Sequence, residues 1–223
     1  MKFSWVLALV GEHPKMRKRK YTALEPSASP CADASMPDPI IHNIVSTAQI
    51  EGSVMPLDLT RISLLLPGSS YDKRRFAAMT LRLANPACTV LLFSSGKMVI
   101  TGGRNLYDCM LSALTVTNLL RKILSGVHFQ LKSCDIQNIV AHCEIPLGAG
   151  SLDLNLMYER LNLFSTYQKN MFPGLIYRPP ASPIVLLCFD SGKIVITGGK
   201  TVPDIFKGWA ILWPTVKQFI SGV

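Results

Sequence analysis

Strict alternation of side chains marks two stretches of the chain. Cys88–Arg104 reads CTVLLFSSGKMVITGGR and Ile184–Lys200 reads IVLLCFDSGKIVITGGK. Each predicts two strands joined by a tight loop, and Ser94-Ser95-Gly96 suits a three-residue hairpin with glycine in the left-handed position. With that loop Phe93 stands opposite Lys97, so the period-two pattern runs unbroken through the turn. One face carries Thr89, Leu91, Phe93, Lys97, Val99 and Thr101; the other carries Cys88, Val90, Leu92, Met98 and Ile100. The second hairpin sorts the same way, with Val185, Leu187, Phe189, Lys193, Val195 and Thr197 against Ile184, Leu186, Cys188, Ile194 and Ile196.

The two stretches are copies. At an offset of 96 residues, 10 of their 17 positions are identical, Phe93/Phe189 and Lys97/Lys193 among them. Asn43-Ile44-Val45 recurs at Asn138-Ile139-Val140, Leu57-Asp58-Leu59 at Leu152-Asp153-Leu154, and Phe76 at Phe172. That period is too long for a solenoid. It predicts two copies of one subdomain with pseudo-twofold symmetry: repeat 1 over 41–135 and repeat 2 over 136–223, behind a divergent, disordered tail of residues 1–40. Each copy predicts a strand (Asn43–Ile50; Asn138–Glu144), a short helix starting near Leu57 or Leu152, further strands and a long amphipathic helix. The first helical stripe is Leu106, Met110, Leu114, Leu120 and Ile123; the second is Ile205, Trp209, Leu212, Val216 and Ile220. Pro214 should kink the second helix. Strands outnumber helices and no βαβ alternation is visible, so the fold class is α+β with an antiparallel sheet.

An antiparallel sheet usually has one apolar and one wet face. Here the all-apolar face can pack on the two long helices, which leaves too few helices to cover the other. A sandwich burying both faces is the alternative, but Thr and Lys mixed with Phe, Leu and Val make an odd core. An apolar face rimmed by Lys and Arg marks an interface. The minor groove of A·T-rich DNA suits it, offering mainly acceptors and sugar edges. Asn43 and Asn138, expected to open the first strand of each copy, can donate to base acceptors; a lone strand Asn also serves as a loop cap.

Composition narrows the partner. The 223 residues hold 23 Lys and Arg against 14 Asp and Glu, a formal charge of +9, yet 48% are apolar. So apolar a chain is no disordered polycation, and 15 Gly and 15 Pro without a period exclude a collagen-like one. Its positive field points to a polyanion, most simply nucleic acid. Residues 1–40 contribute 6 basic and 4 acidic residues, the remainder 17 and 10, so the charge belongs mainly to the folded part. No apolar run approaches the roughly 18 residues of a spanning helix, and no membrane is expected. MKFSWVLALV resembles a short signal-peptide core without an A-x-A-like cleavage site. Lys15, Arg17, Lys18, Arg19 and Lys20 fit a nuclear-localisation patch or a solvated basic tail. Pro26, Pro30, Pro37 and Pro39 make residues 21–40 read as a linker. The six cysteines form no C-x-x-C and no His stands at finger spacing, so no metal site is expected. Cys88 and Cys188 read as reduced core thiols, which favours an intracellular setting.

These motifs resemble those of a known family. HNIVSTAQI, RRFAA, LLFSSGKMVITGGR, IQNIV, FPGLIYR and IVLLCFDSGKIVITGGK are similar, in order and in duplicate, to the core of the TATA-binding protein family over residues 41–223. The resemblance implies a saddle: a ten-stranded curved antiparallel sheet, concave against the minor groove, with helices on the convex side. It implies a general transcription initiation factor of the nucleus that binds TATA-like promoter DNA, bends it by Phe insertion and nucleates the preinitiation complex. The intercalating positions fall on Phe76, Phe93, Phe172 and Phe189. Groove contacts fall on Asn43, Val45, Thr89, Leu91, Val99, Thr101, Asn138, Val140, Val185, Leu187, Val195 and Thr197. Phosphate contacts match or neighbour Arg75, Arg82, Lys97, Arg178, Lys193 and Lys200, which position without specifying sequence. Implied partners are double-stranded DNA, TFIIB-like and TFIIA-like proteins and TBP-associated factors; a homodimer of the DNA-free protein stays open. No cofactor is implied.

The chain also departs from the family. The stirrup loop that carries two TFIIB-docking glutamates in the family reads Gln168-Lys169-Asn170-Met171 here. The first long helix, basic in the family, holds only Arg121 and Lys122 beyond Arg104 at its edge. His42 replaces a glutamine that its repeat mate Gln137 retains. A related factor with altered promoter or partner choice is therefore the alternative. A scaffold that does not bind DNA has no use for exposed Phe wedges. A phosphate-binding enzyme is disfavoured, because SGKIVITGGK lacks the order G-x-x-x-x-G-K-[ST] and its glycines end strands.

Overall fold

A computed structural model describes residues 36–147, 151–180 and 182–221. The signal-like start, the basic patch and Cys31 lie outside the described residues. In chain order the elements are β1 (Ile40–Gly52), α1 (Leu59–Leu65), β2 (Ser69–Ser70), β3 (Ala78–Arg82), β4 (Thr89–Phe93), β5 (Lys97–Gly103) and α2 (Leu106–Ile123). There follow β6 (Phe129–Glu144), β7 (Ser151–Leu152), α3 (Leu154–Leu161), β8 (Ser165–Thr166), β9 (Leu175–Tyr177), β10 (Val185–Cys188), β11 (Lys193–Gly199), α4 (Val202–Lys217) and β12 (Ile220–Ser221). Ten strands form one sheet in the order β2-β3-β4-β5-β1-β6-β11-β10-β9-β8, and β7 and β12 pair separately. The strand pairs are antiparallel, as the missing βαβ alternation requires.

The fold divides into two compact units. The first holds Thr47–Thr101 and Tyr107–Asp135; the second holds residues 36–46, 102–106 and the described residues from Ile136 on. In the first, β3 and β4 pair as Ala78↔Phe93 to Arg82↔Thr89, and β4 and β5 as Thr89↔Thr101 to Leu92↔Met98. That register continues to Phe93 opposite Lys97, as the three-residue loop demands, and Gly96 takes φ +81° there. In the second, Val185↔Thr197 to Cys188↔Ile194 repeat the pairing, with Gly192 at φ +82°.

Both short helices start two residues after the expected points, at Leu59 and Leu154. The Asp of each Leu-Asp-Leu repeat is an N-cap: Asp58 accepts from the Arg61 N–H at 3.0 Å and Asp153 from the Leu156 N–H at 2.9 Å. Such caps satisfy N–H groups that a helix start leaves orphaned. Thr201 and Asp204 form a reciprocal capping box on α4. The hydrogen bonds from Thr201 hold the Asp204 carboxyl below the usual carboxylate range.

Four sequence expectations need correction. The α2 stripe is partly misplaced: Leu120 is buried as expected, but Leu106 and Met110 are exposed, and Cys109, Ala113 and Val116 complete the buried face with Leu120. Of these, Ala113, Val116 and Leu120 pack with Val90, Leu92, Met98 and Ile100 in one apolar cluster. Ile220 leaves the α4 stripe and pairs with Leu152 in the β12–β7 ribbon, whereas Ile205, Trp209, Leu212 and Val216 are buried as the pattern requires. The first strand of each copy starts earlier than expected: Asn43 and Asn138 lie within β1 and β6, not at their starts, and β6 runs without a break from Phe129 to Glu144, across the point where the first unit ends at Asp135. Finally, the last residues of the expected tail are ordered into the fold. Pro39 is buried, β1 begins at Ile40, and the Pro37 carbonyl accepts from the Trp209 indole N–H at 2.8 Å. The α4 helix runs on through Pro214 to Lys217.

Cys88 and Cys188 are buried free thiols, and burial pushes Cys188 up to about 12. Among the described residues no helix is long and apolar enough to cross a membrane.

Candidate nucleic-acid interface

Each hairpin buries one face and opens the other. In β4 and β5, Val90, Leu92, Met98 and Ile100 are fully buried, whereas Thr89, Leu91, Phe93, Val99 and Thr101 are half-buried. In β10 and β11, Leu186, Cys188, Ile194 and Ile196 are buried and Val185, Leu187, Phe189, Val195 and Thr197 are half-buried. A sandwich would bury both sets, so each unit presents an uncovered apolar face. Val45 on β1 and Val140 on β6 share that half-buried state, between buried Ile44 and Ser46 and buried Ile139 and Ala141. Sequence reasoning missed Thr80 and Ile176, which pair with Leu91 and Leu187 on these faces. Alternation along β3 and β9 was the available signal.

A pair of phenylalanines closes each face. In the first unit Phe76 meets Phe93 edge-on, with ring centroids 6.2 Å apart; in the second Phe172 meets Phe189 at 5.7 Å. Edge-to-face contact suits the ring quadrupoles. One device presents both leading rings. The Arg75 and Phe76 N–H groups donate to the Asp72 carbonyl at 3.0 Å, and those of Met171 and Phe172 donate to the Gln168 carbonyl at 2.8 and 2.9 Å. Phe76 remains 51% exposed although a core Phe is seldom so, and Met171 is 83% exposed.

Gly174 gives the second pair its closer spacing. A Cβ there would stand 2.8 Å from Phe172 Cε1 and 3.0 Å from Phe189 Cε1. The equivalent residue in the first unit, 96 positions earlier, is Ala78. Gly174→Ala is therefore expected to drive the two rings apart toward the 6.2 Å spacing, at a cost of about 1–3 kcal/mol for overpacking. Aromatic ring-current shifts of Phe172 and Phe189 read the change; unmoved resonances would refute it.

The repeated asparagines are held by the backbone. Asn43 Oδ1 accepts from the Gly102 N–H at 2.8 Å, and Asn138 Oδ1 from the Gly198 N–H at 2.9 Å. Gly102 and Gly198 sit at φ +97° and +96°, where a side chain would be strained. With the oxygen accepting from the backbone, the amino group is the donor end, and in Asn138 it donates to Thr197 Oγ1 at 2.9 Å. No sequence signal beyond the repeated Thr-Gly-Gly marks this lock.

Arg75, Arg82, Lys97, Arg178, Lys193 and Lys200 are all exposed. Arg75 makes a solvent-exposed ion pair with Asp72 at 3.6 Å, a contact of little energetic weight. Gln168, Lys169, Asn170 and Met171 are exposed in the turn before Phe172. In α2, Arg121 is exposed, and its guanidinium donates to the Phe129 carbonyl and, at 3.0 Å, to Asn118 Oδ1.

One constellation was not foreseen. His42 and His142 bring their Nδ1 atoms to 3.3 Å, with ring centroids 5.1 Å apart and planes at 68°. His142 stands opposite Val195 on the open face of the second unit. Burial, then the nearby His142 and Lys193, hold the His42 imidazole below its usual range.

An α+β unit repeated twice, with one sheet face on helices and the other open, apolar and rimmed by cations, defines a protein that presents sheet faces to a partner. The comparisons agree. The family model described as "Transcription factor TFIID (or TATA-binding protein, TBP)" matches twice, over residues 38–123 and 133–219. The chain is 37% identical to the TATA-box-binding protein of Emericella nidulans over 196 residues, 87% of this chain and 70% of that one. It is 36% identical to that of Caenorhabditis elegans over 192 residues, 86% of this chain but only 54% of the relative. The solved structure of Methanococcus jannaschii TBP superposes with a TM-score of 0.67 at 27% identity, covering 82% of this chain and 99% of that one. The chain belongs to the TATA-binding protein family, a family of transcription factors and not of enzymes.

Proposed function

We propose that this protein is a general transcription initiation factor that binds the minor groove of A·T-rich, TATA-like promoter DNA. It bends the duplex by inserting Phe76, Phe93, Phe172 and Phe189, a mode for which this family is itself the standing example. The observation that carries the reading is the duplicated open face closed by a Phe pair. Val45, Leu91, Val99, Val140, Val185, Leu187 and Val195 supply an apolar surface that a groove floor poor in donors tolerates. Asn43 and Asn138 present amide donors to base acceptors, Asn138 exchanging its Thr197 partner for a base, beside Thr89, Thr101 and Thr197. The six rim cations contact phosphates.

Its place of work is the nucleus, and its further partners are TFIIB-like and TFIIA-like proteins and TBP-associated factors that build the preinitiation complex. One observation favours a second reading, a related factor with altered partners. The Gln168–Met171 turn has no acidic residue, and Arg121 is spent on internal hydrogen bonds. A TFIIB-like partner must then dock through different chemistry.

A gel shift with a TATA duplex and a G·C-rich control tests the proposal. We expect preference for the A·T duplex, with affinity falling as salt rises. Six phosphate contacts set a limiting log–log slope of about −5. Equal affinity for both duplexes would overturn the reading.

A further inference from the structure

We propose that His42 and His142 form a binding site for one imidazole-seeking divalent transition metal ion, such as Zn²⁺ or Cu²⁺. The two Nδ1 atoms are 3.3 Å apart. Metal–imidazole bonds of roughly 2.0–2.1 Å at a tetrahedral angle place two nitrogens about 3.3–3.4 Å apart. The rings thus already hold the bite of a tetrahedral chelate, and neighbouring strands fix them. The same distance fits one Nδ1–H donating to the other ring's lone pair. Uptake of the ion then needs one internal change: the shared proton moves to the outer Nε2 of the ring that carried it. Neutral imidazole is the ligating form. Among the described residues no cluster of three or more metal-ligating side chains exists. Water therefore completes the coordination, and Cu²⁺ binds more tightly than Zn²⁺.

The site faces the open side of the second unit, where His142 stands opposite Val195. A hydrated ion there keeps a duplex off the sheet, so ion and DNA compete; this consequence rests on the proposed function.

Calorimetric titration of zinc chloride into the full-length protein tests the site, with His42→Gln and His142→Gln as variants. His42 is exposed and His142 half-buried, so both variants are expected to keep the wild-type melting temperature. We expect one equivalent bound, at least tenfold weaker in each variant. Undiminished affinity in either variant would overturn the site. In the gel shift, zinc should weaken wild-type binding to the A·T duplex severalfold and leave His42→Gln unaffected; equal effects would overturn the competition. Failure of the zinc-free protein to prefer that duplex would sink the promoter reading and leave the calorimetric result standing.

Discussion

Replacing Phe93 and Phe189 together by Ala should abolish the preference for A·T-rich DNA and the bend that accompanies it. Each ring is half-buried at the end of its hairpin, one edge against its partner and the other open. Opening a base step costs a few kcal/mol, which this family's wedge residues are known to offset through the larger wrapped surface. Stacking of a base on an aromatic side chain is worth about 1–3 kcal/mol per ring. Losing two such contacts predicts a fall in A·T-duplex affinity of about 30-fold or more. The rim cations are untouched, so weak, salt-sensitive binding should persist and become indifferent to sequence. Gel shift gives the affinity, and end-to-end energy transfer on a labelled duplex gives the bend. A double variant that still bends and still discriminates would sink the wedge assignment. Misfolding is a poor alternative explanation, because the buried faces behind these rings, Leu92 and Met98 in one unit and Cys188 and Ile194 in the other, are unchanged.

Much of this site was legible because alternation and repetition are both properties of sequence. Period two assigns Leu91 and Leu92 to opposite faces with no knowledge of what packs behind them. The α2 stripe shows where that reasoning fails. Size drew attention to Leu106 and Met110 beside Leu120, yet the positions buried with Leu120 are Cys109, Ala113 and Val116. Subtracting 96 from the buried α4 positions Ile205, Trp209, Leu212 and Val216 gives those four residues. The repeat thus held the answer that hydrophobicity alone obscured: Ala113 occupies in one unit the place of Trp209 in the other. Small residues such as Ala113 carry a weak apolar signal even where they are fully buried. Illegible features depend on strand neighbours far apart in sequence. The Asn43–Gly102 lock needs residues 59 apart, and His42 and His142 are 100 apart. The cap Asp58 was visible in the repeated Leu-Asp-Leu, but its role appears only once the helix start is fixed.

Trp209→Ala should be among the most destabilising substitutions in the protein. The indole is fully buried, 5.4 Å from the Trp213 ring, and α4 carries it against β11. Truncating a buried aromatic residue to Ala removes its transfer energy and leaves a cavity, about 3–5 kcal/mol together. For a chain of this size that lowers the melting temperature by roughly 6–20 °C. The Trp209 N–H also ties down the Pro37 carbonyl, so the entry into β1 should loosen as well. A paired conservative test separates packing from hydrogen bonding. Trp209→Phe deletes a donor that has a partner and strands the carbonyl it served, which should cost about 1–3 kcal/mol beyond lost volume. Trp213→Phe deletes a buried N–H that has no partner among the described residues, so desolvation of that donor is relieved and the net loss should be clearly smaller. Thermal melts monitored by circular dichroism rank the three. If Trp213→Phe proves as costly as Trp209→Phe, the indole–carbonyl bond is not what distinguishes the two sites, and packing volume alone must account for both.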